Sequence, residues 1–125
     1  MNNGGYSQKI ISFTDLNAWK EGHKLVLMIY KLTASFPAKE KFGLASQMER
    51  AVISYTSNVA EGFTRLGKKE KINFYYMAKS SLTELQNQLL VCRDLSYINK
   101  ENFNLIWNQT TTVHKLITGL IKGLS

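Results

Sequence analysis

The sequence predicts an all-α fold, an up-down-up-down antiparallel four-helix bundle. Three observations predict it: apolar residues recur at helical spacing through four long segments, Gly and Pro punctuate the gaps between them, and no segment alternates long enough for a sheet. At 125 residues the chain fits one domain, large enough to bury a core without a metal or a disulfide. Residues 1–12, rich in Asn, Gly and Ser, are expected to be a flexible tail, and 13–125 the bundle.

The first helix is expected from roughly Asp15 to Ser35. Leu16, Trp19, His23, Val26, Tyr30 and Thr33 recur at i+3 and i+4 steps, Asp15 or Thr14 supplies the N-cap, and Phe36-Pro37 ends the segment. The second runs from about Leu44 to Glu61 or a turn beyond. Gly67 is a natural break before the third, about Lys69 to Leu95, which carries Tyr75, Ala78, Leu82, Leu85, Leu89 and Cys92 on one face. The fourth, about Lys100 to Leu124, carries Phe103, Ile106, Val113, Ile117, Leu120 and Leu124, with Asn99 as its N-cap. Short connections between long amphipathic helices favour antiparallel neighbours.

The second helix bears two stripes. At about 100° per residue, Leu44, Met48, Ala51, Val52, Tyr55 and Val59 share an arc roughly 100° wide, which is the core face. Gln47, Arg50, Ser54, Asn58, Glu61 and Arg65 share a second arc, centred about 110° away. Short polar residues in mid-helix compete for backbone hydrogen bonds and lower helix propensity, so Ser54, Thr56, Ser57 and Asn58 point to close packing rather than an ordinary solvated flank. The expected feature is a polar seam between helices or between subunits. An antiparallel hairpin turning near Leu66 sets residue 50 about level with residue 84. Arg50 and Glu84 are therefore expected to form an ion pair, with Ser81 and Gln88 on the same side of the third helix.

Sixteen Lys and Arg against nine Asp and Glu give a formal charge of +7, which favours a polyanionic partner. The best anion-binding candidate is RLGKKEK, where Arg65, Lys68, Lys69 and Lys71 surround a turn; repeated around a ring, they would form a basic collar. Lys20, Lys24 and Lys31, on the outer face of the first helix, form a second candidate. Neither patch is interleaved with aromatic residues, so sequence-specific reading of single strands is not expected.

Catalytic patterns are missing from the sequence. His23 and His114 have no Glu three residues before them, so the Glu-x-x-His pairs of di-metal bundles are not present. The Arg-x-x-x-x-His pattern of helical-bundle nucleases is not found either. His23 is placed on the apolar face of the first helix, His114 beside the core stripe of the fourth, and Cys92 within the core. No phosphate loop or nucleophile elbow is evident, and no cofactor is expected. A single cysteine suits a reducing compartment, and no apolar run approaches the roughly 20 residues that cross a bilayer. A cytoplasmic protein is expected.

Four stretches, FTDLNAW (Phe13 to Trp19), FPAKEKFGLASQ (Phe36 to Gln47), RAVISYTSNVAEGFTR (Arg50 to Arg65) and AKSSLTEL (Ala78 to Leu85), carry a resemblance across most of the chain. In this order they resemble the 23S rRNA intervening-sequence proteins, also called the S23 ribosomal protein family, and the related accessory variability proteins of diversity-generating retroelements. The resemblance implies a left-handed four-helix bundle assembled into a ring, commonly a pentamer, in which the polar seam helps hold bundle and ring together. It also implies a basic scaffold without established chemistry, which in the retroelement relatives engages nucleic acid and a reverse transcriptase. Three positions depart from the pattern: Glu49 stands where a basic residue is common, Ser80 where Gly is common, and Tyr55-Thr56 near an Ile-Pro step. The functional expectation is a non-enzymatic homo-oligomeric basic scaffold binding RNA or DNA with little sequence preference; the alternative is a pure protein-interaction scaffold.

Overall fold

The computed structural model describes residues 9–125. Its four helices are α1 (Asn17–Thr33), α2 (Leu44–Thr64), α3 (Lys68–Asp94) and α4 (Lys100–Leu124), with short 3-10 turns at Phe13–Asp15 and Ala38–Glu40 and no strand among the described residues. Each helix packs on its neighbours in the chain and α4 returns to α1, whereas the backbones of the diagonal pairs, α1 with α3 and α2 with α4, stay apart. The helices thus occupy the corners of a square in chain order, the bundle expected from the sequence.

The tail assigned to residues 1–12 lies, for residues 1–8, outside the described residues. Further on, the Asp15 carboxylate accepts from the backbone N–H groups of Ile11 and Ser12 at 2.9 Å, while Ser12 Oγ accepts from Thr14 N at 3.3 Å. This reciprocal box caps the Phe13–Asp15 turn. Asp15 and Thr14 therefore do not cap α1 as expected; its N-cap is Leu16, with no side-chain bond. The Asp15 carboxyl is held below its ordinary value chiefly by the Ser12 and Ile11 N–H groups.

The α1 stripe is a second correction. Ala18, Gly22, Leu25, Val26, Ile29, Leu32 and Thr33 are buried, while His23 and Tyr30 are exposed. Two stripes one residue apart compete on this helix. The aliphatic one faces inward because Ala18 and Gly22 leave room for α2, and the ring-bearing one rides the flank, where His23 stacks on Trp19 at 4.7 Å. Tyr55 of α2 fills that room and donates from its hydroxyl to Ala18 O at 2.9 Å. Buried with a satisfied hydroxyl, it contributes a large apolar ring without an orphaned polar atom.

The predicted faces of α2 and α3 are observed. Met48, Val52, Tyr55 and Val59 meet Leu82, Leu85, Leu89 and Cys92 in one core. Each such aliphatic side chain contributes roughly 1.5–3 kcal/mol on burial. Gly62 lets α2 reach α3 where the chain turns: a Cβ there would stand 2.7 Å from Tyr75 Cε1.

At the far end, Ser96 takes φ 61° and ends α3, after which Asn99 Oδ1 accepts from Asn102 N at 2.8 Å to cap α4, as predicted. The α4 stripe gains Thr110 and Ile121; Phe103, Leu120 and Leu124 are only half-buried. Thr110 is buried because its hydroxyl donates to Trp107 O at 2.6 Å and accepts from Gln86 Nε2 at 3.0 Å.

Candidate nucleic-acid interface and polar seam

Ser54, Asn58 and Ser81 come together between α2 and α3. Asn58 Nδ2 donates to Ser54 O at 2.9 Å and Ser54 Oγ at 3.2 Å, Ser54 and Ser81 share a hydrogen bond of 2.9 Å, and Ser81 Oγ donates to Met77 O at 3.1 Å. With Ser54 donating to Ser81, every hydroxyl in this chain gives one hydrogen bond and receives one. Short side chains are needed because the two helices approach closely here.

The remaining seam residues lie outside this chain. Gln47, Arg50 and Glu61 are exposed. The expected Arg50–Glu84 ion pair is not formed: the pairs among the described residues are Glu21–Lys24, Glu61–Arg65 and Arg93–Asp94, each at 2.9 Å. Glu84 is exposed and accepts instead from Gln88 Nε2 of its own helix at 3.3 Å. Arg50 and Glu84 lie one turn beyond the Ser54–Ser81 bond, both exposed, without pairing with each other. Gln88 itself is buried, with Oε1 lacking a partner.

At the α2–α3 turn, the four cations divide into two pairs. Arg65 donates to Glu61 at 2.9 Å and lies 4.6 Å from the centre of the Phe74 ring. Lys71 Nζ donates to Phe63 O at 2.7 Å and Gly62 O at 3.4 Å, so it neutralises the carbonyl end of α2. Lys68 and Lys69 are exposed, and Leu66 at the tip is 98% exposed. The fold thus brings Phe63 and Phe74 beneath the cations, which spacing in the sequence does not reveal. Of the second patch, Lys24 pairs with Glu21, Lys20 is half-buried and Lys31 is exposed.

Elsewhere the chemistry is that of packing. Cys92, whose thiol is pushed up to about 11 by burial, lies 3.3 Å from Met48 Sδ in the core. Burial also raises the hydroxyl of Tyr55. A cleft of about 540 Å³ beside the Ala38–Glu40 turn is lined by Tyr30, Phe36, Phe42, Ala45 and Glu49, among others; the Glu49 carboxylate there accepts from Thr33 Oγ1 at 2.7 Å. Among the described residues no three His, Cys, Asp or Glu side chains are grouped to hold a metal ion, and no helix is long and apolar enough to cross a membrane.

A family model described as 23S rRNA-intervening sequence protein matches residues 14–119. The fold is similar to the crystal structure of a protein of unknown function from the S23 ribosomal protein family of Bacteroides thetaiotaomicron, with a TM-score of 0.78, 23% sequence identity, and coverage of 84% of this chain and 95% of that one. Among curated proteins none matches.

Proposed function

We propose that this chain, which belongs to the 23S rRNA-intervening sequence protein family, is a non-enzymatic cytoplasmic scaffold. It assembles with copies of itself into a ring, a pentamer, and binds RNA or DNA with little sequence preference. The observation that carries this reading is the α2–α3 turn, where Lys68 and Lys69 stand exposed while Arg65 and Lys71 are tied to α2. A net charge of +7 supports it, since phosphate neutralisation by Lys and Arg drives sequence-independent binding. Rotational copies of the turn gather these lysines at one end of the ring. Where the gene lies in a retroelement, a reverse transcriptase is the further partner.

Exposed Leu66 and Phe42, 98% and 90% accessible, favour a second reading, a scaffold that binds only proteins. Electrophoretic shift of a structured RNA at low and high salt separates the two. The first reading expects a shift at low salt that fades steeply as salt rises; no shift at low salt leaves the second.

A further inference from the structure

Two outward-facing stripes on diagonal corners of the square, exposed except at half-buried Lys20, carry opposite charge. On α1, Lys20, Lys24, Leu27 and Lys31 follow one another at steps of four, three and four, and Leu27 is 60% exposed. On α3, Glu70, Met77, Glu84 and Val91 recur every seven residues, all exposed, with Asn73, Ser80 and Asn87 between them. No Lys or Arg interrupts this α3 stripe over six turns, in a chain with sixteen Lys and Arg against nine Asp and Glu. Steps of three and four are the pattern by which one helix lays a continuous edge against another.

We infer that the α1 stripe of one copy docks on the α3 stripe of the next, head to tail. The inference rests on the ring assembly proposed above and assigns its interface. Pairing either stripe with itself would set like charges together, which disfavours a two-fold dimer and favours a heterologous contact. Because the two stripes lie on the outer sides of diagonal helices, each chain offers both halves at once, as a head-to-tail assembly requires. Heights agree as well. Gly22 packs against Tyr55 and Thr56, and Ser54 bonds Ser81, so Glu84 lies about level with Leu27, between Lys24 and Lys31. Rotation about an axis parallel to the helices keeps that level, and Glu84 of one copy then faces both lysines of its neighbour. The contact leaves Lys68 and Lys69, beyond the end of the stripe, available to nucleic acid.

Light scattering on the full chain tests this with three variants: Glu84→Lys, the pair Lys24→Glu with Lys31→Glu, and all three together. The wild-type chain should give an oligomer mass. Each of the first two should shift the assembly midpoint at least tenfold toward monomer while circular dichroism stays helical, and the triple change should reassemble because the charges are exchanged. The milder Glu84→Gln should weaken assembly in the same direction. Variants that keep the wild-type mass, or a triple change that fails to reassemble, overturn this interface and leave ring assembly standing. A monomeric wild-type chain overturns both.

Discussion

Gly22 of α1 lies against the ring of Tyr55 of α2: a Cβ at residue 22 would stand 2.8 Å from Tyr55 Cδ2 and closer still to Cε2. Tyr55 is fixed in turn by its hydrogen bond to Ala18 O. A ring held at both ends cannot yield, so the glycine is required by packing and not by a turn. Gly22→Ala should therefore lower stability by about 1–2 kcal/mol, an overpacking cost at the upper end of roughly 1–3 kcal/mol outweighing the roughly 1 kcal/mol of helix propensity gained. Urea unfolding measures it, and an unchanged or raised midpoint would contradict the contact.

Gly119 gives the opposite expectation. It lies inside α4, and a Cβ there would meet nothing within 4 Å. Gly119→Ala should stabilise the chain by about 0.5–1 kcal/mol through propensity alone. Thermal melting of the two alanine variants side by side checks the contrast in sign.

The Ser54–Ser81 hydrogen bond should behave as a coupled pair. Ser54→Ala removes an acceptor of Asn58 and a partner of Ser81, at about 1 kcal/mol. A double-mutant cycle with Ser81→Ala should give a coupling of about 0.5 kcal/mol or more. Strict additivity would mean that the two hydroxyls do not interact.

Glu40 ties three segments together. Its carboxylate accepts from Tyr97 Oη at 2.8 Å and from Leu44 N at 3.3 Å, joining the α1–α2 connection to the α3–α4 turn. The Tyr97 hydroxyl first, then the Leu44 N–H, hold the carboxyl below its usual value of 4.5. A folded value lower than the unfolded one means that the contribution is present above about pH 4.5 and is lost as pH falls through the folded value. The melting temperature of Glu40→Gln should thus fall below wild type at neutral pH and converge with it in acid. A gap that stays constant across pH would assign the effect to shape and not to charge.

The two pairs of cations at the α2–α3 turn should separate experimentally. Lys68→Gln with Lys69→Gln should weaken RNA binding and lower the slope of log affinity against log salt by about 1–2, with little change in melting. Lys71→Met should instead destabilise α2, because it removes the bonds to Phe63 O and Gly62 O. Equal effects of both sets on melting would contradict the division.

Helix existence and most core faces could be read from the sequence because burial imposes the 3.6-residue period on α2, α3 and α4 directly. Asn99 was recognisable as a cap because its oxygen acts on the next three residues of its own chain. What failed depended on which side chains meet once the helices pack. On α1 two stripes stand one residue apart, and only the fit of Tyr55 beside Gly22 decides between them. Arg50 and Glu84 share a height, yet both stay exposed and Glu84 bonds Gln88 of its own helix instead. The same holds at the basic turn, where sequence counts four cations and the fold ties Arg65 and Lys71 to α2.

Native mass spectrometry of the chain with a structured RNA hairpin at low salt reads assembly and RNA binding together. A basic ring of five copies should appear as one species of five chains carrying RNA, with the RNA released and the five chains retained as ionic strength rises. Single chains, or an assembly that takes up no RNA at low salt, would contradict it.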